Sequence, residues 1–307
     1  MAKTALLFPG QGAQYVGMGK TLYDELPAAR KLYDDAAHML GYNLADICFN
    51  DPKDNLDATE YSQPALYVTS LAALEWLRAK QPERVDEAVD AAGLSLGEYT
   101  ALAFAGAISF EDGLRLVKIR GEAMQAAADA RPSGMLSVIG SSVPQVEQLC
   151  RDVRKDDEIL EIANYLCPGN TVISGDRAAC DRIAKMDSND LKKYDARSVV
   201  PLAVAGAFHT EIMRPAVTQL EQALAEATIN KPRIPVIFNV DAQPHDDPNE
   251  IRDLLAKQVC APVQWEASMR RLLDDGVERF CEVGPERVLR GLLKRIHRKA
   301  DTEGTLD

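Results

Sequence analysis

The sequence predicts an α/β protein: a large subdomain with a mainly parallel sheet, interrupted by an inserted ferredoxin-like small subdomain. Three observations carry this. Strand-like runs alternate with amphipathic helical stretches at both ends of the chain, the middle has its own β-α-β-β-α-β order, and a glycine-flanked serine sits at a strand-to-helix turn. In order, Thr4–Phe8 is an apolar run that breaks at Pro9-Gly10, too short for a secretory signal and sized for a first strand. Glu25–Leu40, Pro64–Leu77 and Ile251–Lys257 space their apolar residues as helices with a buried face do. Glu87–Ala92, Val236–Asn239 and Arg279–Val283 are the other strands of the large subdomain, assigned to residues 1–131 and 205–307.

The insertion, residues 132–204, reads as strand Met135–Ile139, helix Pro144–Val153, strands Ile159–Asn164 and Thr171–Ser174, helix Ala178–Met186 and strand Val199–Val204. The polar stretch Asp187–Ser198 reads as a loop. Arg131-Pro132-Ser133-Gly134 and Gly206 mark the seams.

Composition narrows the function classes. Among 307 residues the formal net charge is −12, which argues against general nucleic-acid binding. No apolar run approaches the roughly 18 residues of a membrane span. The six cysteines (Cys48, Cys150, Cys167, Cys180, Cys260, Cys281) are scattered with no CxxC pair, which suits reduced thiols in the cytoplasm and neither a disulfide framework nor a zinc site. No metal and no cofactor are expected.

Gly93-Leu94-Ser95-Leu96-Gly97 is a G-x-S-x-G sequence between a small-residue strand and a helix over Leu96–Ala105. It fits a nucleophile elbow, in which the glycines permit a sharp turn and the helix directs N–H groups toward a negative charge. It also fits a glycine-rich turn with a helix-capping serine. A nucleophilic serine needs a base. Of four histidines, His38 lies in an amphipathic helix, His297 in a basic terminal helix and His245 in a loop rich in Pro and Asp. His209 follows the strand Val199–Val204 and the turn Ala205-Gly206-Ala207, at the kind of strand edge where open α/β sheets bind ligands. It is the candidate base, against the bland reading of a structural histidine.

Ser109 and Asp112 form a capping-box-like start to a helix reaching about Ala128, with Phe110, Leu114, Val117 and Met124 as its apolar stripe. Arg120 falls at the margin of that stripe, and an inward guanidinium needs an anion. The anion is either a protein carboxylate or a substrate carboxylate held bidentately, and the pattern does not choose. Gly10-Gln11-Gly12-Ala13-Gln14 follows the first strand but lacks the third glycine of a dinucleotide fingerprint. Its tight turn offers backbone N–H groups to an oxyanion.

Four ordered motifs together resemble the malonyl-CoA:acyl-carrier-protein transacylases over essentially the whole chain. They are Phe8-Pro9-Gly10-Gln11-Gly12-Ala13-Gln14, Gly93-Leu94-Ser95-Leu96-Gly97-Glu98-Tyr99, Gly206-Ala207-Phe208-His209-Thr210 and Glu282-Val283-Gly284-Pro285. The resemblance implies an α/β-hydrolase-like large subdomain, Ser95 as the acylated nucleophile and His209 as its base. It further implies an oxyanion hole from the N–H groups of Gln11 and Leu96, Arg120 on the malonyl carboxylate, and Gln258 orienting His209 through a carbonyl oxygen. Phe208 resembles malonyl-selective members, since its ring would crowd a methylmalonyl group. Asn164 keeps a place in the family's Asn-rich loop, although Leu166, Cys167 and Asn170 replace its usual Asn, Ser and Gln. Leu94 stands where many members have His.

Implied with these are malonyl-CoA as a substrate, acyl carrier protein as partner, and a cytoplasmic monomer serving fatty acid or polyketide synthesis. Both partners are anionic and so is the chain, so docking needs a local basic patch. The segment from Arg287 to Lys299 is one candidate, or else simply a solvated helix face. Two rivals stand beside this reading. A serine hydrolase or esterase would carry an acid between serine and a late histidine, and no acid is well placed here. A non-catalytic carrier-protein-binding subunit would have no need of Ser95, His209 and Arg120 together.

Overall fold

The computed structural model of the chain describes residues 2–305. Among the described residues, nine strands form two sheets. The first joins β1 (Thr4–Phe8), β2 (Ala88–Gly93), β7 (Val236–Ile237), β8 (Arg279–Glu282) and β9 (Asp301–Gly304) in the order β7-β2-β1-β8-β9. All its pairings are parallel. The second joins β3 (Ser133–Ile139), β4 (Leu160–Cys167), β5 (Asn170–Asp176) and β6 (Ser198–Pro201) in the order β4-β5-β3-β6, all antiparallel. With helices Val143–Val153 and Arg177–Ala184 between its strands, this is the expected ferredoxin-like unit.

β1 explains how the large sheet is covered. All five of its residues are buried, as a parallel strand layered on both faces requires. Side chains alternate across a strand, so Leu6 and Phe8 pack into one apolar cluster while Ala5 and Leu7 pack into another. The first cluster includes helices Thr59–Lys80, Gly97–Phe104 and Phe110–Ala130, and the second includes Trp265–Asp274 and Val288–Ile296. Helix Thr59–Lys80 is buried nearly all round, from Ser62 to Leu74 without a break. Truncating a side chain such as Leu66 to alanine there costs about 2–5 kcal/mol.

The antiparallel sheet is tied to the rest of the fold at two points. Tyr165 N–H donates to Val263 O at 2.9 Å and Val263 N–H to Ala163 O at 2.8 Å, so β4 pairs with the chain just beyond Gln258. Arg131 holds Asp176 bidentately, both bonds at 2.7 Å, tying the end of helix Phe110–Ala130 to the end of β5.

Three expectations are corrected. The strand placed at Val199–Val204 runs over Ser198–Pro201 instead. Leu202 N–H still donates to Met135 O at 3.0 Å, but Val204 N–H then turns back onto Leu202 O at 3.0 Å, and the chain leaves the small sheet to return to the large one. His209 therefore follows an irregular segment and not the edge of a parallel strand. The stretch Asp187–Ser198 is not all loop: Asp187 accepts from the N–H groups of Asn189 and Asp190 and caps a short helix, Ser188–Lys192. The strand expected at Val236–Asn239 closes after Ile237, which leaves Asn239 outside the ladder.

Candidate active site

The serine turn is built by close approach. A Cβ on Gly93 would lie 1.9 Å from Gly97 C, and one on Gly97 would lie 2.1 Å from Phe8 O, so neither position admits a side chain. Ser95 itself sits at φ 51°, in the left-handed region that non-glycine residues avoid, and His209 sits at φ 62°. Strained backbone of this kind persists only where surrounding contacts hold it. At Ser95 it lifts the hydroxyl off the sheet and toward His209.

Ser95 Oγ lies 2.8 Å from His209 Nε2. His209 Nδ1 lies 2.9 Å from the backbone O of Gln258. A carbonyl oxygen can only accept, so Nδ1 carries the proton and the Nε2 lone pair faces the hydroxyl. Burial, and after it the charge of Arg120, pushes His209 down to about 4. The imidazole is therefore neutral at pH 7 and able to take a proton.

Arg120 comes from helix Phe110–Ala130, whose N-cap is Ser109, accepting from Asp112 N–H at 2.9 Å. It is 1% exposed. Its Nη1 donates to Gln63 Oε1 at 2.7 Å, and its Nη2 donates to Ser95 Oγ at 3.0 Å and to Gln258 Oε1 at 2.9 Å. The Tyr99 ring lies 5.5 Å away. All these partners are neutral, and no carboxylate among the described residues comes within 4.0 Å of the guanidinium. Burial lowers its pKa, yet a guanidinium stays charged. The result is a buried cation next to the serine with no anion beside it.

Ser95, His209 and Arg120 open into a cavity of about 560 Å³. Gln11, Leu96, Asn164 and Phe208 line it too, as do Leu166 and Asn170, whereas Cys167 points into the core around Trp265. Gln258 sits fully buried behind it and donates from Nε2 to Ser95 O at 3.0 Å. The backbone N–H groups of Gln11 and Leu96 find no acceptor among the described residues. A wider surface groove of about 720 Å³, bounded by Tyr23, Tyr42 and Phe49, contains none of this constellation. Among the described residues no group of His, Cys, Asp and Glu is arranged to hold a metal ion.

Residues 5–304 match the acyl transferase domain. The chain is 42% identical to the human mitochondrial malonyl-CoA-acyl carrier protein transacylase, over 97% of this chain and 78% of that one. The chain belongs to the malonyl-CoA:acyl-carrier-protein transacylase family. It is also 38% identical to the Bacillus subtilis transacylase, over 100% of this chain and 94% of that one. The solved transacylase of Coxiella burnetii superposes with a TM-score of 0.92 at 34% identity, covering 99% of this chain and 94% of that one. A malonyl-transacylase solved in complex with a type II PKS acyl-carrier protein superposes at 0.90 with 33% identity, covering 99% and 95%.

Two polar residues of this transacylase-family site had no signal in the sequence. Gln63 falls just before the helical stretch read at Pro64–Leu77, and Asn239 at the end of a strand. Both are buried and both bond to the site, Gln63 to Arg120 and Asn239 to the Ser95 turn.

Proposed function

We propose that the chain moves a malonyl group from coenzyme A to the phosphopantetheine thiol of acyl carrier protein through an ester on Ser95. The observation that carries this reading is Arg120, a buried guanidinium within 3.0 Å of Ser95 Oγ and without a carboxylate partner. A thioester whose acyl group ends in a carboxylate supplies the missing anion and places its carbonyl at the hydroxyl.

In the first half-reaction Ser95 Oγ attacks the thioester carbon as its proton passes to His209 Nε2. The carbonyl oxygen becomes an oxyanion, for which the unspent N–H groups of Gln11 and Leu96 are the donors. Collapse breaks the C–S bond, and the coenzyme A sulfur leaves with the proton from His209. The second half-reaction is the reverse with the carrier's thiol: His209 takes the thiol proton, sulfur attacks the ester, and Ser95 Oγ recovers its hydrogen. Gln258 O fixes the imidazole but, being neutral, stabilises imidazolium less than a carboxylate would. That suits exchange between two thioesters of similar energy. The Phe208 ring lines the cavity and restricts branching on the acyl group, and Asn164 offers an amide from the opposite wall. The acyl carrier protein, a cytoplasmic setting and a cofactor-free reaction belong to the same proposal.

Intact-protein mass tests it. Brief exposure to malonyl-CoA should add one malonyl group, Ser95→Ala should add none, and acyl carrier protein should discharge the adduct onto its own thiol. An adduct that survives Ser95→Ala, or one lost to water as fast as to the carrier, contradicts the proposal.

A further inference from the structure

The Ser95 turn is held from behind by side chains to which the acyl-transfer chemistry assigns no part. Asn239, 1% exposed, spans the turn: Ser95 N–H donates to its Oδ1 at 2.6 Å, and its Nδ2 donates to Gly93 O at 2.7 Å. The main chain of Asn239 is fixed in turn. Its N–H donates to Glu98 Oε2 at 2.6 Å, and its O accepts from Gln264 N–H at 2.8 Å. Glu98 is in the first turn of the helix that follows the nucleophile. Gln264 ends the segment that begins at Gln258, whose backbone O orients His209.

These contacts form one closed network. It joins the last residue of β2, the strained serine, the helix after it and the segment that orients the base. A side chain that accepts from residue 95 and donates to residue 93 matches the two backbone groups that a sharp turn leaves without ladder partners. Glu98 supports it without adding a charge, since burial raises its carboxyl to about 8 and so keeps it neutral at pH 7.

We propose that Asn239, anchored by Glu98, is a positioning residue that keeps the Ser95 turn in its left-handed conformation and the hydroxyl in line with His209. The proposal rests on Ser95 being the acylated residue. It predicts that loss of the Asn239 amide slows ester formation while leaving malonyl-CoA binding alone, because Asn239 does not itself line the cavity and makes no hydrogen bond to Arg120. A misplacement of about 1 Å costs about 10²-fold in rate.

The test is the single-turnover rate of ester formation from malonyl-CoA, followed by intact mass, with malonyl-CoA KM and thermal midpoint measured on the same samples. Folded Asn239→Leu should form the ester about 10²-fold more slowly with KM within about threefold of wild type. Asn239→Asp, which keeps an acceptor for Ser95 N–H, should recover part of that loss. A folded Asn239→Leu acylated at the wild-type rate overturns the proposal. So does an equal loss in both variants accompanied by a matching rise in KM, and so does failure of both to fold, which would assign Asn239 to stability alone. A wild-type chain that takes up no malonyl group overturns the Ser95 reading itself, and is told apart by that control.

Discussion

The cavity has two walls, and they are built differently. On the side of the parallel sheet, Ser95, His209, Arg120, Gln258 and Gln63 form one hydrogen-bonded unit, with strained backbone at Ser95 and His209. On the side of the antiparallel sheet, Met135, Asn164, Leu166, Asn170 and Val172 face the same space. No hydrogen bond among the described residues joins their side chains to the serine, the histidine or the arginine, and Asn170 instead accepts from its neighbour Ser137. A bonded wall fixes atoms to within fractions of an ångström, which bond making requires. A wall of unbonded side chains sets size and polarity. On the proposed function, the large sheet's side carries the chemistry and the carboxylate contact, and the small sheet's side completes the fit of the rest of the substrate.

That comparison predicts a gradient of effects. The largest belongs to the bonded wall. His209→Ala should slow ester formation by about 10²–10⁴-fold, the range for loss of a positioned base. Its pH dependence has a definite sign. The folded pKa of His209 is depressed, so the base form persists at low pH, and kcat/KM for malonyl-CoA should stay level from about pH 8 to about pH 5. It should fall only as pH nears about 4, where the imidazole gains its proton. A profile that breaks near 6.5, the ordinary histidine value, would mean that His209 is not buried as described.

The smallest effect belongs to the facing wall. Asn164→Ala should raise the malonyl-CoA KM by about tenfold or less and leave kcat nearly unchanged, the pattern of lost uniform binding. Steady-state kinetics on that variant sharpen the comparison. A loss in kcat as large as that of His209→Ala would erase the distinction between the walls.

Much of this was legible in the sequence because its signals are local. The glycines around Ser95 announce a turn that no side chain at 93 or 97 could fit, and the spacing of Leu114, Val117 and Met124 puts Arg120 at the margin of an apolar stripe that the structure buries. The ferredoxin-like unit was readable from the order of its elements. What escaped depends on contacts distant in the chain. Whether Arg120 meets a carboxylate was undecidable until residues 63, 95 and 258 were brought around it. Asn239 acts on a turn more than a hundred residues away. β9 escaped for a different reason: Asp301-Thr302-Glu303-Gly304 has no apolar alternation, and it becomes a strand by pairing with β8 at the sheet's edge. Gln258 entered only through the family resemblance, and its side chain also bonds Arg120 and Ser95 O, a junction no motif describes.

The central claim is that the bonded wall keeps Arg120 for the substrate's carboxylate. Rates of malonyl and acetyl transfer, measured side by side on wild type and on folded Arg120→Ala, test it most directly. An acetyl group leaves the buried guanidinium without an anion, so the wild type should strongly favour malonyl. Charge-assisted hydrogen bonds in a buried site contribute a few kcal/mol, so removing the arginine should shift the malonyl-to-acetyl ratio toward acetyl by about 10²-fold or more. A ratio unchanged by the substitution, with both rates lowered alike, would contradict the account and return Arg120 to a purely structural role.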